Sequence, residues 1–483
     1  MFDLNALMKF INVNNDGCIQ KREMTQFSNK IESSSIFSNY FNSITNDTDI
    51  ASVENDIINT KAANKELTAS ITVNDKGFFP YNNYSQDIKV IKSIDDIPAG
   101  SHDNIKDARF CDISKLNLSE EELLNLCIDK TTVMTPEQKT ILKPYMEAAK
   151  NPGLGIRKLH EQGITGKGVN MAIIDQPLGM HKEYMDNIKD KVHDINAKEM
   201  GWNASMHGAA VASIAAGKTV GVAPEAQLDY YSAVNKSNNP DDVKTYKEKI
   251  KKEIELNSDN PEYLKYLQEQ LLNTNKSNSC PSNKPYAEAI NKILDKNETL
   301  PKNEQIPVIS ISWGFNKLAP GYEELQKAVS RAKEQGVFIV STALYEQYGM
   351  DTCGANRNPK GNLENSENYE AGAFWKKNSE KGDEEAKDKL LLFPMDHRTV
   401  ADFKDDTSYR YEGNDGGMSW STPWLAGMYV LAKQTDSNIT PEKFWQYALE
   451  TSNECNNNDT GAYVGRIINP AGLIQKIQDN KTV

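Results

Sequence analysis

Three short and almost wholly apolar runs mark the later part of the chain, at residues 169–174, 306–312 and 336–342. Runs of this kind are typical of parallel strands that are buried on both faces. An amphipathic segment at residues 322–335 lies between the last two runs and has the spacing of a helix. Strand, helix and strand in this order predict a βαβ unit. We therefore expect an α/β fold with a doubly wound, mostly parallel sheet flanked by helices.

Two further segments have the pattern of buried helices. Residues 205–217 begin with a serine that could cap a helix, continue with small apolar residues and end with glycine. Residues 416–432 begin with two glycines, and Ser419 and a proline precede the apolar part. Because proline is tolerated in a first helical turn, we predict a helix that opens at Pro423. Ser419 would then lie at its N-terminal end, where free N–H groups favour negative charge.

The remaining parts of the chain are more polar. We assign residues 1–145 to a smaller, mainly helical N-terminal region, which could be a pro-segment or a regulatory module. Residues 150–475 are predicted to form the large α/β domain. Within that domain, the lysine- and glutamate-rich residues 235–305 are interpreted as a solvated helical insertion, and residues 360–390 as a polar insertion.

Composition and charge exclude several kinds of function. A hydrophobic fraction of 38% and a charged fraction of 25% in 483 residues are typical of a soluble protein with one large domain and a smaller one. No apolar run is long enough to span a membrane. The net charge of −13 argues against nucleic-acid binding by general electrostatic attraction.

The cysteines and the N-terminus bear on the location of the protein. Six cysteines are scattered along the chain without a CxxC pair, which favours reduced thiols over a disulfide framework. The first residues show neither a basic segment nor a long apolar one, so we predict no secretory signal. We expect a cytoplasmic protein, and export by a route that needs no signal is left open.

Residues 12–23 resemble the calcium-binding loop of an EF-hand. Oxygen-bearing side chains stand at loop positions one, three, five and twelve, and a glycine at position six allows the sharp turn. The resemblance implies a calcium site, which asparagine in place of aspartate at position one would weaken. The alternative is a polar turn between two helices. The candidate ligands are Asn12, Asn14, Asp16, Cys18 and Glu23.

Two polar residues stand where an α/β fold places its ligands. Asp175 follows directly after the apolar run at 169–174, and the carboxyl ends of parallel strands line the ligand crevice of open α/β sheets. His207 is the single polar ring of the small-residue helix, near its N-terminal end. Each has a structural alternative, because Asp175 could begin a turn and a lone histidine is more often structural. The segment around Ser419 could likewise be a glycine turn before a core helix.

The segments around these three residues resemble the motifs of subtilisin-like serine proteases, the subtilases. Asp175 ends a strand as in the aspartate motif, and His207 is followed by Gly-Val-Ala-Pro at residues 221–224, as in the histidine motif. The glycine-rich segment around Ser419 resembles the nucleophile motif. The order Asp, His and Ser along the chain is that of subtilisin. The resemblance covers roughly residues 150–475 and implies a catalytic triad.

The resemblance also implies a substrate cleft. The chain departs from the family motifs after Asp175, at Met418 and Ser421 beside Ser419, and at the oxyanion asparagine. In subtilases the end of the strand at 306–312 pairs with extended peptide, which implies that Ser312, Trp313 and Gly314 bind substrate. The next strand is usually followed by Ala-Gly-Asn, whose asparagine donates to the oxyanion, whereas this chain continues Ala-Leu-Tyr-Glu at residues 343–346. Asn356 is the nearest loop candidate for the missing donor.

These observations favour a serine endopeptidase that hydrolyses peptide bonds through an acyl-enzyme intermediate. The alternative is a catalytically impaired pseudoprotease that binds peptide or acts as a regulatory protein. A third interpretation is a calcium-responsive regulator in which the N-terminal region dominates. The expected partner is a protein or peptide substrate, without nucleic acid or membrane, and the oligomeric state stays open. The chemistry requires no cofactor, and calcium is the one ion that the sequence suggests.

Overall fold

The computed structural model describes residues 71–81, 87–99, 106–257, 260–372, 384–414 and 417–481. From Val73 onwards these residues belong to one unit. Residues 12–23, which carry the candidate calcium ligands, lie outside the described ranges. No helix within those ranges has the length and apolar character needed to cross a membrane.

The strands of the described residues are short, and from residue 170 onwards strands and helices are interspersed along the chain. In chain order they are β1 (Lys89–Val90), β2 (Lys106–Asp107), β3 (Cys111–Asp112), β4 (Leu126–Cys127), β5 (Asn170–Asp175), β6 (His193–Asp194), β7 (Gln227–Ser232), β8 (Lys236–Ser237), β9 (Cys280–Pro281), β10 (Val308–Ile311), β11 (Phe338–Ser341), β12 (Asp351–Arg357), β13 (Tyr369–Ala371), β14 (Leu390–Pro394), β15 (Arg398–Ala401), β16 (Tyr409–Glu412), β17 (Asn453–Asn456) and β18 (Tyr463–Ile467).

The helices differ widely in length, and several begin at a proline, which suits the first helical position. In chain order they are α1 (Glu120–Leu124), α2 (Pro136–Ala148), α3 (Ile156–Glu161), α4 (Met206–Ala216), α5 (Pro240–Leu256), α6 (Pro261–Ser277), α7 (Lys284–Thr299), α8 (Tyr322–Glu334), α9 (Leu344–Tyr348), α10 (Glu384–Lys389), α11 (Met418–Thr435), α12 (Pro441–Thr451) and α13 (Pro470–Asp479). Short 3₁₀ turns occur at Ile94–Asp96, Lys302–Glu304 and Ser366–Asn368.

Five strands form a fully parallel sheet in the order β11-β10-β5-β7-β6. The central strand β5 pairs with β7 along its whole length, from Asn170 opposite Gln227 to Asp175 opposite Ser232. Every residue of β5 is buried. This burial is what an apolar parallel strand requires, because helices must cover both of its faces.

Alternate residues of β5 enter two different cores. Met171 and Ile173 pack with the apolar sides of α4 and α11, whereas Ala172 and Ile174 pack with α7 and α8. Successive side chains of a strand point to opposite faces, so the sheet lies between two helical layers. The helices α4 and α11 approach closely, since a Cβ atom on Gly427 would lie only 3.1 Å from a backbone oxygen of α4. The predicted doubly wound, mostly parallel α/β fold is confirmed.

A second five-stranded sheet has the order β13-β12-β14-β18-β17. It is parallel in its centre, where Asp351 of β12 lies opposite Leu390 of β14, and antiparallel at both edges. Its apolar residues join the same core as α11. This sheet was not predicted from the sequence, because strands such as β12, with polar residues at four of its seven positions, lack a long apolar run.

The described part of the N-terminal region packs against the hairpin formed by β15 and β16. Helices α1 and α2 begin with capping boxes at Ser119 and Thr135. Their apolar sides enclose a small core to which Tyr411 of β16 also belongs. The boundary between this region and the α/β domain, at residues 145–150, stays a prediction.

The predicted insertion at 235–305 contains helices of two kinds. Helices α5 and α6 pack against each other and leave Leu256 and Leu272 exposed, as their charged pattern indicates. Helix α7, by contrast, buries Ile293 and Leu294 in the core beneath the parallel sheet. The interpretation of this segment as solvated was therefore wrong for α7. Its apolar side is buried because it covers one face of the parallel sheet.

Candidate active site

Asp175 and His207 meet at the carboxyl edge of the parallel sheet. Asp175 is the last residue of β5, and His207 is the second residue of α4, whose N-cap Ser205 accepts a hydrogen bond from the His207 N–H. Nδ1 of His207 and Oδ1 of Asp175 lie 2.6 Å apart. Because a carboxylate only accepts, Nδ1 carries the proton and Nε2 of the neutral ring is left as an acceptor. The side chain of Asp175 is 5% exposed and that of His207 is 20% exposed, so the histidine ring is the more accessible of the two from solvent.

Close packing around this pair explains the glycine that follows His207. A Cβ atom on Gly208 would lie 2.6 Å from both the carbonyl oxygen of Gln176 and the hydroxyl of Tyr230. That hydroxyl donates to the Gln176 carbonyl at 2.6 Å. Burial raises the pKa of Tyr230 well above its ordinary value, and the charge of Asp175 adds to the rise. Tyr230 is therefore a neutral donor that holds the turn after Asp175.

Ser419 lies in the first turn of α11, which begins at Met418 with Gly417 as its N-cap. The helix therefore begins before Pro423, and the prediction that it opens at this proline was wrong. Pro423 has no N–H to donate to the carbonyl of Ser419, which precedes it by four residues. The hydroxyl of Ser312 donates to that carbonyl instead, at 2.9 Å. The free N–H groups of the first turn favour negative charge beside Ser419.

Trp420, which directly follows Ser419 in the chain, lies beside His207. The centroid of the Trp420 indole lies 5.2 Å from that of the His207 imidazole. The Ser419 hydroxyl donates to the carbonyl oxygen of Ser312 at 3.4 Å. Among the hydrogen bonds of the described residues, none joins Ser419 Oγ to Nε2 of His207. The bond between His207 and Asp175 is therefore formed, while the serine hydroxyl is directed towards Ser312.

Trp420 and Arg410 are residues near this site that the sequence analysis did not single out. The guanidinium carbon of Arg410 lies 5.7 Å from the centroid of the Trp420 ring, and its guanidinium group pairs with Glu412. Arg410 and Glu412 are both almost fully buried. The alternation Tyr-Arg-Tyr-Glu at residues 409–412 is typical of a strand with one solvated face, so the sequence held no signal of a buried charge.

The predicted peptide-binding segment follows β10 directly. The strand ends at Ile311, and the N–H of Trp313 donates back to the Ile311 carbonyl at 2.7 Å in a three-residue turn. The Trp313 ring is stacked parallel to that of Tyr286. Ser312 exchanges hydrogen bonds with the first turn of α11. The binding of extended peptide by Ser312, Trp313 and Gly314 stays a prediction.

Asn356 lies in the second sheet, in β12, opposite Glu370 of β13. Its Oδ1 atom is buried without a hydrogen-bond partner. Where subtilases carry their oxyanion asparagine, this chain forms helix α9, and Leu344 at its start is buried. None of the hydrogen bonds in the described ranges joins Asn356 to Ser419, and its role as the donor stays a prediction.

Within the described part of the chain, no group of three or more His, Cys, Asp or Glu side chains is arranged to hold a metal ion. The candidate calcium loop at residues 12–23 lies outside that part.

Comparison with protein families finds one family model that matches part of the chain. Residues 166–343 match the model of the subtilase family, Peptidase S8. The matched segment contains Asp175, His207 and Ser312, and Ser419 follows it in the chain. No curated protein matches the chain. Together with the parallel α/β fold, the match supports a subtilisin-like hydrolase and, more generally, a serine protease.

Several solved structures are similar to this chain at low identity. The prenylagaramide maturation protease PagA has 15% identity and a TM-score of 0.40, and the similarity covers 68% of this chain and 99% of that one. The A-subunit of the AB5 toxin from E. coli has 12% identity and a TM-score of 0.42, over 68% and 98% of the two chains. The PatG macrocyclase domain has 13% identity and a TM-score of 0.36, over 68% and 95%.

A double-mutant cycle tests whether Ser312 replaces the helical hydrogen bond that Pro423 removes. Ser312→Ala leaves the carbonyl of Ser419 without its donor, and we expect the free energy of unfolding to fall by about 1–3 kcal/mol. Pro423→Ala supplies the absent N–H. In the double variant, it should therefore restore most of the free energy of unfolding that Ser312→Ala removes. Urea-induced unfolding of the wild type, both single variants and the double variant gives the coupling free energy between residues 312 and 423. Purely additive effects would show that Ser312 does not compensate for the proline.

Proposed function

We propose that this protein is a serine endopeptidase that uses Asp175, His207 and Ser419 as its catalytic triad. The observation that carries the proposal is the 2.6 Å contact between Nδ1 of His207 and Oδ1 of Asp175 at the carboxyl edge of the sheet. It is supported by the Trp420 ring, which lies against His207 and directly follows Ser419 in the chain. The family match over residues 166–343 supports the same class of reaction.

The reaction would follow the scheme of serine hydrolases. His207 Nε2 takes the proton of Ser419 Oγ as that oxygen attacks the carbonyl carbon of a peptide bond. Asp175 keeps the imidazole in the tautomer that leaves Nε2 free, and its charge stabilises the imidazolium. His207 then gives the proton to the leaving amine, and an ester with Ser419 remains. Water, activated by His207 in the same way, hydrolyses this acyl-enzyme and restores the serine.

Negative charge on the attacked oxygen needs hydrogen-bond donors. The N–H groups of the first turn of α11, including that of Ser419, are the backbone candidates because α11 has no side-chain cap there. We propose Asn356 as the side-chain donor, on the ground that it follows the strand β11 in the chain and that its side-chain amide carries N–H donors.

The alternative function is that of a pseudoprotease that binds peptide without cleaving it. The observation that favours it is the hydrogen bond from Ser419 Oγ to the Ser312 carbonyl, because this bond occupies the hydroxyl proton that His207 would have to accept. Catalytic hydrogen bonds are often loose in the absence of substrate, so this orientation is compatible with both functions. The proposed partner in either case is a protein or peptide, without nucleic acid or membrane, and the proposed location is the cytoplasm.

Labelling with a fluorophosphonate probe separates the two functions, because only an activated serine reacts. We expect the wild type to be labelled and Ser419→Ala to be unlabelled. Asp175→Asn should reduce the rate of peptide hydrolysis by a factor of about 10⁴, since the imidazole loses its correct tautomer. Ser421→Ala, two residues away on the same helix, is the matched control and should label as the wild type does. An unlabelled wild type that still binds peptide would establish the pseudoprotease instead.

The donor role of Asn356 predicts a specific kinetic defect. Asn356→Ala should lower kcat by about 10²–10³ with little change in KM, because the lost contact exists only in the transition state. Asn358→Ala, two residues further along the chain and just beyond the end of β12, is the control and should retain full activity. Equal kcat values for the wild type and Asn356→Ala would contradict the role of Asn356. The proposed donors to the oxyanion would then be backbone N–H groups alone.

We also propose that the loop at residues 12–23 binds calcium, with Glu23 as its bidentate ligand. Titration calorimetry of the full chain should show heat on adding calcium at millimolar concentration. Glu23→Gln should abolish or strongly weaken that signal, because it removes the carboxylate that closes the site. Glu32→Gln, outside the loop, is the control with the same change of charge. Absence of heat in the wild type would identify residues 12–23 as a polar turn.

A further inference from the structure

A short segment of the N-terminal region lies along the strand that leads to the nucleophile. The backbones of Ile128 and Tyr411 exchange two hydrogen bonds, at 3.0 and 2.9 Å, as an antiparallel pair does. Beside this pair, Sγ of Cys127 lies 3.6 Å from Oε2 of Glu412. Tyr411 also belongs to the apolar core of the N-terminal region. Residues 126–128, which comprise β4 and Ile128, therefore act as an additional strand next to β16, and we call them the N-terminal strand.

Charged contacts hold the same region to the loop between β15 and β16. Asp129, which follows the N-terminal strand, pairs with Lys404, and Lys130 pairs with Asp405. The pair of Asp129 and Lys404 is buried, whereas that of Lys130 and Asp405 is partly exposed. Contacts of three kinds, backbone, apolar and ionic, thus join residues before 131 to the hairpin.

Asn125 ends α1 and directly precedes the N-terminal strand, and it contacts the loop that leads to Ser419. Nδ2 of Asn414 donates to Oδ1 of Asn125 at 2.8 Å. The backbones also pack tightly here, since a Cβ atom on Gly413 would lie 2.6 Å from the carbonyl carbon of Asn125. From the other side, the N–H of His397 donates to the Gly413 carbonyl at 2.8 Å. Gly413 and Asn414 are therefore held between the N-terminal region and β15.

We propose that Asn125 is a positioning residue for Ser419. Asn414 precedes Ser419 by only five residues, and Gly417, the N-cap of α11, is a residue type that permits many backbone conformations. A fixed contact at Asn414 reduces the conformations open to the residues before Ser419. The serine is then anchored on its other side by Ser312. Residues outside the predicted peptidase domain thus complete the active site. This inference rests on the proposed function of Ser419 as the nucleophile.

The test uses variants that separate the contact at Asn414 from the stability of the surrounding helix. Asn125→Ala removes the acceptor, and the right-handed helical backbone of residue 125 suits alanine without strain. Asn125→Asp keeps an acceptor oxygen in the same position. Ser119→Ala removes the N-terminal cap of α1, the helix that Asn125 ends, and leaves the contact with Asn414 in place.

Fluorophosphonate labelling and peptide hydrolysis of the full-length protein give the functional result. We expect Asn125→Ala to lower both the labelling rate and kcat by about 10- to 100-fold with KM nearly unchanged, because small misplacements of a nucleophile are costly. Asn125→Asp should restore most of the rate, and Ser119→Ala should react as the wild type does. A normal rate for Asn125→Ala, or an equal loss in Ser119→Ala, would overturn the proposal.

Hydrogen exchange of the peptide covering residues 409–420 makes the test independent of catalysis. Its backbone amides should exchange faster in Asn125→Ala than in the wild type, and at the wild-type rate in Asn125→Asp and Ser119→Ala. If the wild type itself is not labelled by the probe, the proposed protease function fails, and the exchange rates still decide whether Asn125 holds this loop. Unchanged exchange in Asn125→Ala would overturn the positioning role in either case.

Discussion

The burial of β5 on both faces is the constraint on which the rest of the structure depends. A strand whose every residue is removed from water needs helices above and below it, and this chain supplies α4 and α11 on one side and α7 and α8 on the other. The same burial confines exposed chemistry to the ends of the strands. Asp175 stands at the carboxyl end of β5, and α4 places the ring of His207 within hydrogen-bond distance of it.

The position of Ser419 follows from a defect in its helix. Pro423 removes one hydrogen bond from the first turns of α11, which would leave the carbonyl of Ser419 without a donor. Ser312, at the end of a strand of the parallel sheet, provides that donor. The carbonyl of Ser419 is therefore hydrogen-bonded to the end of a strand of the parallel sheet, whereas in a regular helix it would accept from an N–H of the same helix. This connection links Ser419 to the same sheet edge that carries Asp175.

The segment before Ser419 contains an unusual amount of buried charge. Asp396, His397, Arg398 and Arg410 are all almost fully buried. Burial raises the pKa of Asp396 to about 7 and, together with the charge of Arg357, lowers that of His397 to about 4. Buried charged groups stabilise a fold little in comparison with apolar residues, and removal of one partner is costly. The hairpin that precedes Ser419 therefore depends on buried contacts in which the loss of one partner is costly.

Much of the fold and part of the site could be predicted from the sequence, because the relevant signals are local. Burial can be predicted from the spacing of apolar residues within a single element. This holds for the run at residues 169–174, the small-residue helix that begins near His207 and the amphipathic helix α8. The α/β class followed from their order. Asp175, His207 and Ser419 could be selected from local motifs before any distance between them was known.

Tertiary structure alone decided how these elements meet. The bond between Asp175 and His207 joins residues 32 apart, and that between Ser312 and Ser419 joins residues 107 apart. The burial of Arg410 beside Trp420 and the contact of Asn125 with Asn414 had no local signal either. Spacing along a chain reports which side of an element is apolar, but not which distant element covers that side. Those contacts are set by how the helices and the hairpin pack around the sheet.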